Sequence, residues 1–216
     1  KQTGLYMGRR LDIPSLPRND GRVFSKMSLP NETPELALAL LLDESGSMGC
    51  GSRATYARAS AIILYDFCQS LGIPVMVYGH SAYSGVELYS YAEFDSIDKL
   101  DRYRLMDISA RGNNRDGAAL RFVAEQLAKR PEDIRLLILV SDGQPADSGY
   151  YGTAAEEDLR GIKTEYRRKG ICFVAAAIGD DKDSIERIYG DAYMDISDLH
   201  TLPITVTNVV KRFIRT

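Results

Sequence analysis

Residues 36–42 read Leu-Ala-Leu-Ala-Leu-Leu-Leu, an unbroken apolar run that stops on Asp43 and is followed by Glu44, Ser45, Gly46 and Ser47. The run is far shorter than the roughly 18 apolar residues that cross a bilayer, and it has the length of a strand buried on both faces. Strands of that kind belong to mostly parallel sheets covered by helices on either side. The rest of the chain keeps the pattern. Strand-like segments are expected at 73–78, 86–92, 135–141, 171–178 and 193–196. Helical segments are expected at 54–71, 97–106, 117–130, 154–169 and 184–189. Residues 86–92 alternate in polarity and suit a half-exposed edge strand. In the first helix Ala57, Ala61, Leu64, Tyr65, Cys68 and Leu71 fall near one face. In the third, Leu120, Val123, Ala124 and Leu127 do so. The stripe Leu199, Leu202, Val206, Val209, Val210 and Phe213 predicts a core-facing helix at the end. The expected fold is therefore α/β, an open, mostly parallel sheet with helices on both faces.

Residues 1–35 differ. Pro14, Pro17, Pro30 and Pro34 are half of the eight prolines, and no helical period appears. We expect an extended arm over 1–35, with or without short strands, and one domain over 36–216. Several classes are excluded by composition. With 44% hydrophobic and 26% charged residues the chain is neither disordered nor coiled coil. Its 27 Lys and Arg against 30 Asp and Glu argue against a nucleic-acid binder. Cys50, Cys68 and Cys172 are odd in number and far apart, with no CxxC spacing, which argues against zinc and against a disulfide framework. Reduced thiols, no signal peptide and no membrane segment suggest a cytoplasmic protein. The start at Lys1 suggests a piece of a longer one.

The chemistry lies where strands end. In an open parallel sheet, ligands bind outside the carboxyl ends of the strands. Asp43, Ser45 and Ser47 place one carboxylate and two hydroxyls there, spaced by two. All are hard oxygen donors, suited to Mg²⁺ or Mn²⁺ more than to zinc. The plainer reading of these five residues is a strand end followed by a helix-capping serine. Two other loops change the balance. Ser141, Asp142 and Gly143 follow the strand residues 135–140 and put a second acid at a strand end. Gly112, Asn113, Asn114, Arg115, Asp116 and Gly117 precede the helix containing Leu120 and offer a third set of oxygens.

This set resembles the von Willebrand factor A-type (VWA) domain with its metal-ion-dependent adhesion site (MIDAS), over about residues 36–216. The resemblance implies a Rossmann-like sheet. It also implies one divalent cation held by Asp43, Ser45 and Ser47, with Asp142 nearby. The family's Thr-x-Thr-Gly loop is replaced here: Asn114 falls on the first Thr and Asp116 on the second, and both are kept as candidate ligands. Mg²⁺ is the first expectation, with Mn²⁺ and Ca²⁺ next. Such a cation keeps an open position that an Asp or Glu of a protein partner fills. The function implied is binding rather than catalysis.

A narrower resemblance rests on Gly8, Arg9, Arg10, Leu11, Asp12, Arg18, Val23 and Phe24. It extends to the Asp43–Met48 motif and to Tyr78, Gly79, His80 and Ser81. It is to the carboxyl-terminal domain of cobaltochelatase T-subunit-like and nitric oxide reductase activation proteins. That resemblance implies work beside an AAA+ ATPase in metal insertion or enzyme maturation, and ring assembly in the full-length protein.

Four other readings compete. A serine hydrolase could use Ser81, Asp142 and His200, but Gly79-His80-Ser81-Ala82-Tyr83 lacks the second glycine of the nucleophile elbow. A phosphate-transfer enzyme could use Asp43 with Arg53 or Arg115, but no P-loop is present. A dinucleotide binder needs Gly-x-Gly-x-x-Gly, and Met48-Gly49-Cys50-Gly51 offers only its first half. A structural domain with a vestigial site is the fourth. Among single residues, Glu44 is expected in solvent, because neighbours on a strand point oppositely. His80 is expected to shape the partner surface or to bond locally. Arg9, Arg10, Arg18 and Arg22 read as a solvated basic arm.

Overall fold

The computed structural model describes residues 2–7, 10–18, 21–26, 35–96, 100–143, 145–178, 182–195 and 198–214. The first part holds β1 (Gln2–Leu5), β2 (Arg10–Leu11) and β3 (Phe24–Lys26), which form a small antiparallel sheet in the order β1-β3-β2. A 3₁₀ turn over Ile13–Arg18 follows β2, and Ser15 Oγ donates to Asp12 Oδ2 at 2.6 Å at its start. Arg22 reaches across to donate to the carbonyl of Arg168 at 3.0 Å. Arg9 and the side chains of Arg10 and Arg18 lie outside the described residues.

The main sheet is built from β4 (Leu36–Asp43), β5 (Val75–Ala82), β6 (Val86–Ala92), β7 (Ile134–Ser141), β10 (Ile171–Ala177) and β11 (Tyr193–Asp195). Between β7 and β10 lies a short hairpin of β8 (Ala146–Asp147) and β9 (Tyr150–Tyr151). The order across the sheet is β11-β10-β7-β4-β5-β6. All neighbours are parallel except β5 and β6. The helices are α1 (Arg53–Leu71), α2 (Asp101–Arg104), α3 (Asp116–Ala128), α4 (Gly152–Arg168), α5 (Lys182–Tyr189) and α6 (Leu202–Ile214).

β4 sits in the centre, buried along its whole length, and its alternation sorts the two layers. Leu36, Leu38, Leu40 and Leu42 pack with Ala57, Ala61, Leu64 and Cys68 of α1 and with Val209 and Val210 of α6. Ala37, Ala39 and Leu41 face Leu120, Val123 and Leu127 of α3, Leu159 and Ile162 of α4, and Ile185 and Ile188 of α5. Each leucine taken out of water contributes roughly 1.5–3 kcal/mol, so this one strand anchors both layers. Small alanines on the second face let α3 approach closely. From β4 the chain runs through α1 to β5 and β6 on one side, then returns through α3 to β7 on the other. The crevice at this reversal opens between the carboxyl ends of β4 and β7, next to Asp43 and Asp142.

The structure departs from expectation at several points. β5 does not stop at Tyr78 but runs through Gly79, His80 and Ser81 to Ala82, because its polar end is covered by the loop before α3. The helix expected at 97–106 is one turn, α2, continued by a 3₁₀ turn over Leu105–Asp107; residues 97–99 lie outside the described set. Leu71, expected inward, is exposed at the last turn of α1. Val209 and Val210 are buried, as their stripe requires, while the side chains of Leu199, Leu202, Val206 and Phe213 lie outside the described set, as does Ile196. Among the described residues no helix is long and apolar enough to cross a membrane.

Candidate cation site

Asp43 is the last residue of β4. Its side chain falls on the face that Ala37, Ala39 and Leu41 share, so it points into the crevice toward α3. The chain then turns tightly: the backbone N–H of Ser45 donates to Asp43 Oδ1 at 2.8 Å, an Asx turn. Asp43 Oδ2 accepts two more bonds, from Asn114 Nδ2 at 2.8 Å and from Ser141 Oγ at 2.8 Å. Ser45 Oγ lies 3.0 Å from Ser47 Oγ, and Ser47 Oγ donates to Asp142 Oδ1 at 2.8 Å. The other oxygen of Asp142 accepts from Arg53 Nη1, again at 2.8 Å.

Five of the six candidate residues are thus joined in one chain of contacts: Asn114, Asp43, Ser45, Ser47 and Asp142. Four of them are buried, and Ser47 is exposed, so the cluster opens to solvent at that hydroxyl. The sixth, Asp116, turns aside. Its Oδ1 lies 3.2 Å from His80 Nε2, and both side chains are enclosed. His80 is therefore part of the interior and not of a partner surface. Burial works against its protonation, but contact with Asp116 and the charges of Asp43 and Glu44 raise its pKa above the usual value. Burial pushes the Asp43 carboxyl above its ordinary range, with Asp116 adding to the rise and His80 opposing it. Asp142 is raised as well, by burial first, with Ser47 and Arg53 opposing.

Two observations bear on whether a metal ion fits. Among the described residues no group of three or more His, Cys, Asp or Glu side chains comes together as a metal cluster. What converges is instead two carboxylates, two hydroxyls and one amide, an all-oxygen set of the kind hard cations take. The second observation is an orphan. Asn114 Oδ1, on the amide whose nitrogen bonds Asp43, is fully buried and has no hydrogen-bond partner, and neither has Asp116 Oδ1. A buried carbonyl oxygen left unpaired is costly, and a cation next to Asp43 would satisfy it.

The Asp43 loop, the loop before α3 and the end of β5 are laced together by backbone. Gly46 N–H donates to Gly112 O at 2.7 Å and Arg111 N–H to Glu44 O at 2.6 Å, while Ala82 and Asn113 exchange a pair of bonds. Gly112 needs its missing side chain, since a Cβ would come within 2.4 Å of Ala82 O. The β8–β9 hairpin buttresses the third loop: Ala146 N–H donates to Asn114 O, and Asn113 Nδ2 to Asp147 Oδ1.

Glu44 corrects an expectation. It does point away from Asp43, but into protein and not into solvent. Tyr91 Oη donates to its Oε1 at 2.5 Å and Arg111 Nε to its Oε2 at 2.6 Å, and its side chain is 1% exposed. The space it fills exists because residue 79 is glycine; a Cβ there would lie 1.7 Å from Glu44 Oε1. Arg111 stacks over the Tyr89 ring at 4.1 Å. The hydrolase alternative finds no support in the geometry. Ser81 Oγ accepts from Gly112 N–H, Asp142 holds Ser47 and Arg53, and exposed His200 bonds Tyr56 Oη.

With the geometry in view, comparison with known proteins is informative. Residues 102–216, just over half of the chain, match the family described as the cobalamin biosynthesis protein CobT VWA domain. The chain belongs to this family. The matched part of this CobT-type VWA domain contains Asn114, Asp116 and Asp142; the Asp43 loop precedes it. Over 177 residues it is 25% identical to Protein NorD of Brucella abortus, covering 80% of this chain and 25% of that protein. The chain spans at most 36% of the length of the curated relatives it matches. Among solved structures it is similar to a von Willebrand factor type A protein from Catenulispora acidiphila. That match has a TM-score of 0.61 and 16% identity, over 84% of this chain and 43% of the other. It is also similar to proximal thread matrix protein 1 of the mussel byssus, solved with a zinc-occupied MIDAS motif. Here the TM-score is 0.58 and the identity 17%, over 82% and 47% of the two chains. At these identities the two structures speak for the fold alone.

Proposed function

We propose that this CobT-type VWA domain is a divalent-cation-dependent protein-binding module. Asp43, Ser45, Ser47 and the Oδ1 of Asn114 would hold the cation, with Asp142 behind Ser47. Asp116 lies against His80, outside the chain of contacts that joins the other five, and is assigned no direct contact. The observation that carries this reading is the buried, unpartnered Asn114 oxygen beside the Asp43 carboxylate, where two further loops meet. Support comes also from the mussel protein, whose site of the same kind holds zinc. The all-oxygen donors favour Mg²⁺, then Mn²⁺ or Ca²⁺.

When bound, the cation supplies a centre of positive charge with an open position for a partner oxygen. The residues do the rest. Ser47 donates a hydrogen bond to Asp142 and so leaves its oxygen lone pairs directed elsewhere. Asn114 and Ser141 hold the Asp43 carboxylate in a single orientation. An Asp or Glu of a protein partner is the group that the open position attracts, because both sides of the contact are ionised. We take the partner to be an AAA+ ATPase or the target of a metal-insertion or maturation complex, a reading that family membership and the likeness to NorD support. Residues 1–35 would be an arm on this domain.

Calorimetry with Mg²⁺, Mn²⁺ and Ca²⁺ tests the reading. Stoichiometric binding in the intact chain, lost in Asp43→Ala and weakened in Asp142→Ala, is expected. Equal heats for all three proteins would refute it.

A further inference from the structure

Arg53 is placed against three local preferences at once. The chain reaches it through Gly51 at φ +56 and Ser52 at φ +63, and Ser52 is the one non-glycine residue with positive φ among the described residues. Left-handed backbone is disfavoured for a residue with a side chain, and where it persists it tends to mark function. Arg53 then opens α1, whose first turn holds no acidic residue, so a cation sits at the positive end of the helix dipole. Its side chain is also only 16% exposed, which removes much of the water a guanidinium prefers. These choices bring Nη1 to 2.8 Å from Asp142 Oδ2.

That contact matters for the charge of the site. Other acids close to the site have basic neighbours: Glu44 has Arg111 at 2.6 Å and Asp147 has Arg115 at 3.5 Å, while Asp116 lies 3.2 Å from His80. Asp142 has Arg53. Asp43, by contrast, is held by neutral donors, Ser45, Asn114 and Ser141. A divalent ion at Asp43 therefore faces one uncompensated carboxylate and keeps a net positive charge. Without Arg53 it would face two and keep none.

We propose that Arg53 is a positioning residue that sets the charge of the loaded site: it holds Asp142 away from direct coordination, so that the open position takes an anionic group, a carboxylate, rather than a neutral one. This rests on the cation reading above. It makes a prediction of opposite signs. Replacing Arg53 by Gln frees Asp142 to attract the metal, and so strengthens cation binding while weakening binding of an anion to the bound cation.

The test uses Mn²⁺ and acetate as probes, on the intact chain and on Arg53→Gln, Arg53→Lys and Asp43→Ala. Calorimetry gives Mn²⁺ affinity. Solvent-proton relaxation during acetate titration gives the affinity of the carboxylate for the loaded site. For Arg53→Gln we expect Mn²⁺ to bind severalfold tighter and acetate about fivefold weaker or more, with Arg53→Lys close to the intact chain in both. A purely structural role for Arg53 would weaken both together, and that result overturns the proposal, as does no change in either. If the intact chain binds no more Mn²⁺ than Asp43→Ala, the cation reading fails and the role of Arg53 falls with it.

Discussion

Glu44→Ala is the most telling single perturbation of this fold. The carboxylate is enclosed and ionically paired, with Tyr91 Oη at 2.5 Å and Arg111 Nε at 2.6 Å. Hydrogen bonds to an ionised partner are worth about 1.5–3 kcal/mol each on truncation. Arg111 is 30% exposed, so water recovers part of its loss, whereas Tyr91 is 4% exposed and recovers little. The variant also leaves a void beside Gly79. Together these argue for a loss of about 3 kcal/mol, in the lower range for breaking a buried ion pair. In a domain of this size each kcal/mol moves the melting temperature by about 2–4 °C, so a fall of roughly 6–12 °C is expected. Thermal and urea unfolding followed by circular dichroism would measure it. A loss under about 1 kcal/mol would mean that Glu44 is solvated in solution, and the clamp between β4, β6 and the loop before α3 would be refuted.

Gly79→Ala should do comparable damage from the other side, by pushing a Cβ into Glu44, and the double variant with Glu44→Ala should be less than additive. Ser52→Gly removes a side chain from left-handed backbone and should raise stability by about 1 kcal/mol, seen as a higher melting temperature with cation binding unchanged. Asn114→Ala should weaken cation binding in calorimetry while the circular dichroism spectrum stays that of the intact chain. Burial raises the Cys68 thiol to about 12, so its neutral form is favoured in the fold. The stability this contributes is present below about 9 and is lost as pH rises toward about 12. At pH 8 the thiol should react with iodoacetamide only after denaturant is added, which mass spectrometry of the labelled peptide would show.

Much of this was legible in the amino-acid order. The apolar run at 36–42 marks a central strand because it has a strand's length, too short for a buried helix, and ends on a polar loop; the two-faced packing of Leu40 and Leu41 bears that reasoning out. Asp43, Ser45, Ser47, Asn114 and Asp142 could be gathered in advance because strand ends of a parallel sheet share one edge. What escaped was tertiary cover. Parity correctly sends Glu44 to the face opposite Asp43, but parity is silent on whether Tyr91 and Arg111 wait there. The same loop covers Gly79, His80 and Ser81, so a polar stretch that looks like the turn after a strand still belongs to it. The role of Arg53 was missed because its meaning depends on Asp142, 89 residues away.

The backbone seam across Ala82, Asn113, Gly112 and Gly46 has a bearing on protein engineering. It makes the stretch before α3 behave like added ladder, with its length counted residue by residue. One residue inserted between Ile108 and Asp116 would carry Asn114 past Asp43 and reverse which of its neighbours face inward, whereas the open turn at Gly85 has no such register to lose. Tags, hinges or reporter insertions therefore belong at the β5–β6 turn. The loop before α3, which is no less polar and no better marked in sequence, should refuse them.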